Sequence, residues 1–136
     1  MEEKTVTEAN EIDESCIFCN LESRAVFIEN DYAVVIEDSF PVTKHHSLII
    51  PKRHFKDYFD IQQTEQNAIH DLLKICRKLL SEKDTSITGF NVGINIGHDA
   101  GQTINHCHIH LIPRRNGDME NPKGGVRGVI PDKMHY

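Results

Sequence analysis

The sequence predicts an α+β domain: an antiparallel sheet of about five strands with one long helix packed on it. Three observations lead there. Only 62–83 sustains helical periodicity over many turns, with its apolar residues on one stripe. Five separate short runs are β-prone or alternate between polar and apolar residues. The first two of these runs are separated by a turn-prone Asn30-Asp31, as in a hairpin.

In order, Ala25-Val26-Phe27-Ile28 and Tyr32-Ala33-Val34-Val35-Ile36 form the hairpin strands, and Leu48-Ile49-Ile50 is a short buried strand closed by Pro51, which cannot continue a ladder. The helix over 62–83 places Ile69, Leu72, Leu73, Cys76, Leu79 and Leu80 on one face. Thr64 is its expected N-cap, and Lys74, Arg77, Lys78 and Lys83 lie toward the end where the helix dipole favours cations. Phe90, Val92, Ile94 and Ile96 alternate with Asn91, Gly93 and Asn95, which predicts a strand. A loop, Gly97-His98-Asp99-Ala100-Gly101, follows, and 104–112 alternates again. The division is an acidic disordered tail over 1–15, a folded domain over 16–115, and an irregular C-terminal tail over 116–136 in which prolines and glycines break any period.

Charge narrows the function. The formal net charge of the 136 residues is −6, and residues 1–15 contribute −5 of it, which leaves the body near neutral. Counterion release on a nucleic-acid backbone needs a basic stripe, and none is present, so a polynucleotide partner is not expected. The apolar runs reach four or five residues against the eighteen or so a bilayer demands, so no membrane association is expected either. Without the charged and apolar regions of a secretory signal, the expected compartment is the cytoplasm, where Cys16, Cys19, Cys76 and Cys107 stay reduced.

The richest stretch is Thr103-Ile104-Asn105-His106-Cys107-His108-Ile109-His110-Leu111-Ile112. On a strand, alternate side chains share a face, so His106, His108 and His110 stand in a row while Cys107, Ile109 and Leu111 point into a core. Two chemistries compete for such a row. A three-histidine metal centre is strained, because the outer Cα atoms are about 13 Å apart on a strand while Zn–N bonds are about 2 Å long. At most two of the three share an ion. The other chemistry is covalent catalysis, with one histidine as nucleophile and its neighbours as acid or oxyanion donors.

The run from His106 to Ile112, preceded by Gly101-Gln102-Thr103 and followed by Pro113-Arg114, resembles the signature of the histidine triad (HIT) family of nucleotide hydrolases and transferases. Other pieces fall in the same order: Glu37-Asp38 then Pro41, His46-Ser47-Leu48-Ile49-Ile50-Pro51-Lys52-Arg53-His54, and Asn95 before the row. The likeness covers roughly residues 16–115, and the segment Gly124 to Pro131 is similar to bacterial members described as diadenosine polyphosphate hydrolases. One departure is His45, where the family usually has glycine.

The resemblance implies a HIT-like fold, commonly a homodimer, and a small-molecule nucleotide substrate. It implies that His108 attacks the α-phosphorus of an adenosine 5′-phosphate derivative and carries a transient nucleotidyl group. A neutral imidazole suits the task, and its phosphoramidate is labile enough to release AMP. His110 with Asn95, Gln102 and Thr103 would hold phosphate oxygens, Asp38 would accept from ribose hydroxyls, and His46 would help orient the row. Arg114, Arg115 and Arg127 are further candidates for phosphate contact.

Cys16-Ile17-Phe18-Cys19 is a Cys-x-x-Cys pair outside the strand-to-helix setting of a redox motif and outside zinc-finger spacing. Some HIT members and the related galactose-1-phosphate uridylyltransferases combine such cysteines with the histidine of a Pro-x-x-His segment and the first triad histidine. The resemblance therefore implies a structural zinc on Cys16, Cys19, His54 and His106, a closed set that does not activate water. The competing functional reading is a zinc-stabilised nucleotide-binding or scaffold protein with vestigial catalysis. A nucleotidyltransferase is the third, and it needs an acceptor site not visible in the sequence.

Overall fold

A computed structural model describes residues 12–136. Five strands, β1 (Val26–Glu29), β2 (Ala33–Glu37), β3 (Ser47–Pro51), β4 (Ile87–Gly93) and β5 (Ile109–Arg115), form one sheet in the order β1-β2-β3-β5-β4 with every neighbouring pair antiparallel. The helix, α1 (Gln63–Lys83), connects β3 to β4 across one face. The predicted α+β architecture is the one observed. Among the described residues no helix is long and apolar enough to cross a membrane.

Alternation divides the sheet into two faces. Ala33, Val35, Ile49, Ile109 and Leu111 join Ile69, Leu72, Cys76 and Leu80 of α1 in the larger core, with Phe55, Ile87 and Cys107. Val34, Ile36, Leu48 and Ile50 face the other way and are covered by Phe18 of the N-terminal segment. His110 pairs with Leu48 across the β3–β5 ladder, so it stands on this second face, away from the helix.

The boundaries differ from expectation in ways the hydrogen bonds explain. β4 begins at Ile87 and ends at Gly93, whose partner His110 is the last in register; 94–96 therefore has no strand beside it. β5 starts only at Ile109, because the backbone before it is held elsewhere: Cys107 N–H donates to the Phe55 carbonyl at 2.7 Å. The helix is capped at Gln62 rather than Thr64, since the Glu65 carboxylate accepts from Gln62 N–H at 2.9 Å and sets the first turn two residues earlier. Leu79 is 39% exposed and lies off the buried stripe, which is completed instead by Ala68.

Of the tail expected over 1–15, residues 1–11 lie outside the described residues. Within 12–15, the Asp13 carboxylate accepts from both Ser15 N–H and Ser15 Oγ. The C-terminal 116–136 has no strand or α-helix, only 3-10 turns at Gly125–Val129 and Pro131–Lys133. It folds back so that Met134 is buried against Gly124, where a Cβ would overlap the Met134 carbonyl.

Candidate active site and metal centre

Three backbone groups decide which nitrogen carries the proton in His46, His106 and His108, and through His46 in His110. Val42 N–H donates to His46 Nδ1 at 3.0 Å, so neutral His46 holds its proton on Nε2. That Nε2 lies 3.0 Å from His110 Nδ1 and 3.4 Å from Asp38 Oδ2. His110 Nδ1 is then the acceptor, and His110 keeps its proton on Nε2. Burial lowers the pKa of both imidazoles, in His110 with help from His108 and His46, and against the pull of Asp38.

The same logic runs along the row. His108 Nδ1–H donates to the His106 carbonyl at 2.8 Å, which leaves His108 Nε2 with a free lone pair. His106 Nε2–H donates to the Pro51 carbonyl at 2.7 Å, which leaves its Nδ1 unprotonated. Burial pushes the His106 pKa down to about 4, with His54 and His108 adding to the effect. The rings of His108 and His110 are 5.3 Å apart, and the Phe18 ring meets both His106 and His108 edge-on. The row predicted on one face is therefore present, although only His110 lies within the ladder.

Cys16, Cys19, His54 and His106 come together in space, their donor atoms all within 4.8 Å of one another. His106 Nδ1 is 3.3 Å from Cys16 Sγ, 3.5 Å from Cys19 Sγ and 3.2 Å from His54 Nδ1, and Cys19 Sγ is 3.3 Å from His54 Nδ1. The donors of a tetrahedral zinc with bonds near 2.0 to 2.3 Å are separated by about 3.3 to 3.8 Å. The spacing fits, and so does the proton position on His106, whose outer nitrogen is held by a carbonyl in the manner of a metal-bound histidine. A second group, Asp38, His46 and His110, also converges. It suits an ion poorly, because a metal on His46 Nε2 would move the proton to Nδ1, against the Val42 N–H.

The remaining site residues divide. Asp38 Oδ1 accepts from Phe40 N–H and caps its own turn, while Oδ2 faces His46 and His110. Asn95 lines a cavity of about 590 Å³ together with His46, His110, Val42, Val126 and Val129. Thr103 is exposed beside the row. Gln102 is buried and committed to backbone: its Oε1 accepts from Gly97 N–H, and its Nε2 donates to the Lys56 and Ile104 carbonyls. It braces the 97–101 loop. The arginines are likewise engaged, Arg114 with Asp118 and Asn91, Arg115 with Asp84, Ser86 and the Lys44 carbonyl, and Arg127 with the Met134 carbonyl.

An open five-stranded sheet with one covering helix, and three consecutive alternating histidines at its centre, defines a histidine triad protein. The chain matches the HIT domain over residues 21–117 and belongs to that family. A zinc-bound histidine triad family protein from Mycobacterium smegmatis superposes with a TM-score of 0.71 at 32% identity, over 79% of this chain and 80% of that one. Plasmodium falciparum diadenosine triphosphate hydrolase superposes with a TM-score of 0.68 at 30% identity, over 74% of this chain and 68% of that one. An adenylylsulfatase of Arabidopsis thaliana is 36% identical over 120 residues, covering 82% of this chain and 58% of its own.

Proposed function

We propose that this protein hydrolyses adenosine 5′-phosphoric anhydrides of the diadenosine polyphosphate type, or adenosine phosphoramidates, at the α-phosphorus through a nucleotidyl-His108 intermediate. The observation that carries the reading is the bond from His108 Nδ1–H to the His106 carbonyl, which holds the ring in one orientation and leaves Nε2 as the nucleophilic nitrogen. In the first step the His108 Nε2 lone pair forms an N–P bond as the leaving group departs with the electrons of the bond it held to phosphorus. In the second, water attacks phosphorus, the N–P bond breaks back to His108, and AMP leaves. His110 Nε2–H donates to a phosphate oxygen where negative charge develops, and Asn95 and Thr103 add donors. His46 holds His110 in its tautomer, Gln102 acts through the loop it braces, and Asp38 Oδ2 accepts from the ribose hydroxyls.

Cys16, Cys19, His54 and His106 would hold a zinc ion. With all positions taken by protein, it would supply a structural cross-link rather than a Lewis acid. The reading includes a homodimer and a cytoplasmic setting in which the thiols remain reduced. Similarity to a diadenosine triphosphate hydrolase and to an adenylylsulfatase supports an adenosine phosphate substrate and leaves the leaving group to experiment.

The test is AMP release from diadenosine tetraphosphate, an adenosine phosphoramidate and adenosine 5′-phosphosulfate, each with wild type and His108→Ala. The reading expects turnover of at least one compound that His108→Ala loses. Tight binding of all three with no AMP from any would overturn it in favour of a nucleotide-binding protein. Transfer of AMP to an added alcohol or phosphate in preference to water would make it a transferase.

A further inference from the structure

The segment that carries His54 is held from an unexpected side. Arg53, the residue before it, donates from Nε to Glu65 Oε2 at 2.8 Å and from Nη2 to Glu65 Oε1 at 2.9 Å. Glu65 is on the first turn of α1 and only 2% exposed, so its carboxylate is desolvated, and the pair it makes with the half-buried Arg53 is bidentate and charge-assisted. Arg53 Nη2 also donates to the Asp60 carbonyl, and its guanidinium lies 4.3 Å over the Phe55 ring. On the other side of His54, the Phe55 carbonyl accepts from Cys107 N–H beside His106. His54 is thus pinned between the start of the helix and the histidine row, with its Nδ1 3.2 Å from His106 Nδ1.

We propose that Arg53 and Glu65 are positioning residues for the metal centre, so that a buried ion pair at the helix N-terminus sets the zinc affinity of Cys16, Cys19, His54 and His106. The inference rests on the zinc reading above. Removing the Glu65 charge takes away the bidentate acceptor that orients Arg53, removing the Arg53 charge leaves the Glu65 carboxylate buried without that guanidinium, and in either case the segment bearing His54 is held less firmly. Outer groups that orient metal ligands are worth about 10- to 100-fold in affinity, and this pair acts as such a group through the main chain of residues 53–54.

The experiment measures zinc affinity of the full chain by competition with a chromophoric chelator, and reads the ligand set from cobalt(II) absorption. Cys19→Ser serves as the control on the site itself. If wild type binds no more tightly than Cys19→Ser, the zinc reading and this inference fall together. Glu65→Gln removes the charge, and Arg53→Lys keeps the charge but loses the planar fork. Each is expected to bind zinc about tenfold or more weakly while the tetrahedral cobalt spectrum is retained. Wild-type affinity in both, with Cys19→Ser weakened, overturns the positioning role and leaves the metal site standing. Thermal melts with chelator separate positioning from folding: metal-free Arg53→Lys is expected to be folded at the assay temperature, and an unfolded protein would overturn the positioning role.

Discussion

His46 Nε2 lies 3.0 Å from His110 Nδ1, and the Val42 N–H on the far side of the His46 ring makes that contact a donation from His46 to His110. One main-chain amide thereby dictates the proton position of an imidazole it does not touch. His110→Ala is expected to lower kcat about 10²- to 10³-fold, the usual cost of one donor to a developing oxyanion. His46→Ala should cost less, roughly tenfold, and should move the ¹⁵N shifts of His110 toward a mixture of tautomers. Steady-state kinetics and imidazole NMR on the two variants check this.

If zinc occupies the proposed centre, its removal should be felt across the fold, because an ion on Cys16, Cys19, His54 and His106 would tie residues 16–19 and His54 to the row. A ligand present at a thousand times its Kd stabilises by about 4 kcal/mol. For a chain of this size that is roughly 15 °C in Tm. Chelator should lower the melting temperature of wild type by about this amount and that of Cys19→Ser by much less, as read by differential scanning calorimetry.

Acidification should destabilise the protein through His46 and His110. Both have pKa values depressed by burial, so below about pH 6.5 the unfolded chain binds protons that the folded one resists. The stability they contribute is complete above the unfolded pKa and is lost as pH falls through the folded values. Urea titrations should show stability declining from pH 6.5 downward, and a shallower decline in His110→Gln, which has one such group fewer.

Gln102 offers a structural test. Truncation to alanine orphans the Gly97 N–H and the Lys56 carbonyl, at a cost of about 1 to 3 kcal/mol. Denaturant melts should report that loss, and KM should rise more than kcat falls, since the residue acts on the loop rather than on the reacting atoms.

Much of this was legible in the residues, and the exceptions share a cause. Alternation alone places Cys107, Ile109 and Leu111 in the core, and the family resemblance names Cys16, Cys19, His54 and His106, which the fold brings together across 90 residues of chain. Side-chain pattern does not reveal where backbone groups go. Val42 sets the His46 proton through its N–H, and β5 begins late because Cys107 N–H is drawn to Phe55. Nothing in the residue pattern pairs Arg53 with Glu65; the fold brings them to 2.8 Å. His45 sits at φ 75°, a backbone glycine adopts freely, which explains the family's residue there; here the imidazole lies 3.9 Å from Asp84 Oδ2.

The proposed mechanism turns on a bond from His108 Nε2 to phosphorus. The measurement is rapid-quench of wild type and His108→Ala with diadenosine tetraphosphate and an adenosine phosphoramidate, stopped at alkaline pH and followed by mass analysis of the peptide containing residue 108. One adenylyl group is expected on that peptide in wild type, appearing before AMP, and none in His108→Ala, which releases AMP at least about a thousandfold more slowly. An adenylyl group on another residue, or AMP release by His108→Ala at the wild-type rate, would contradict it.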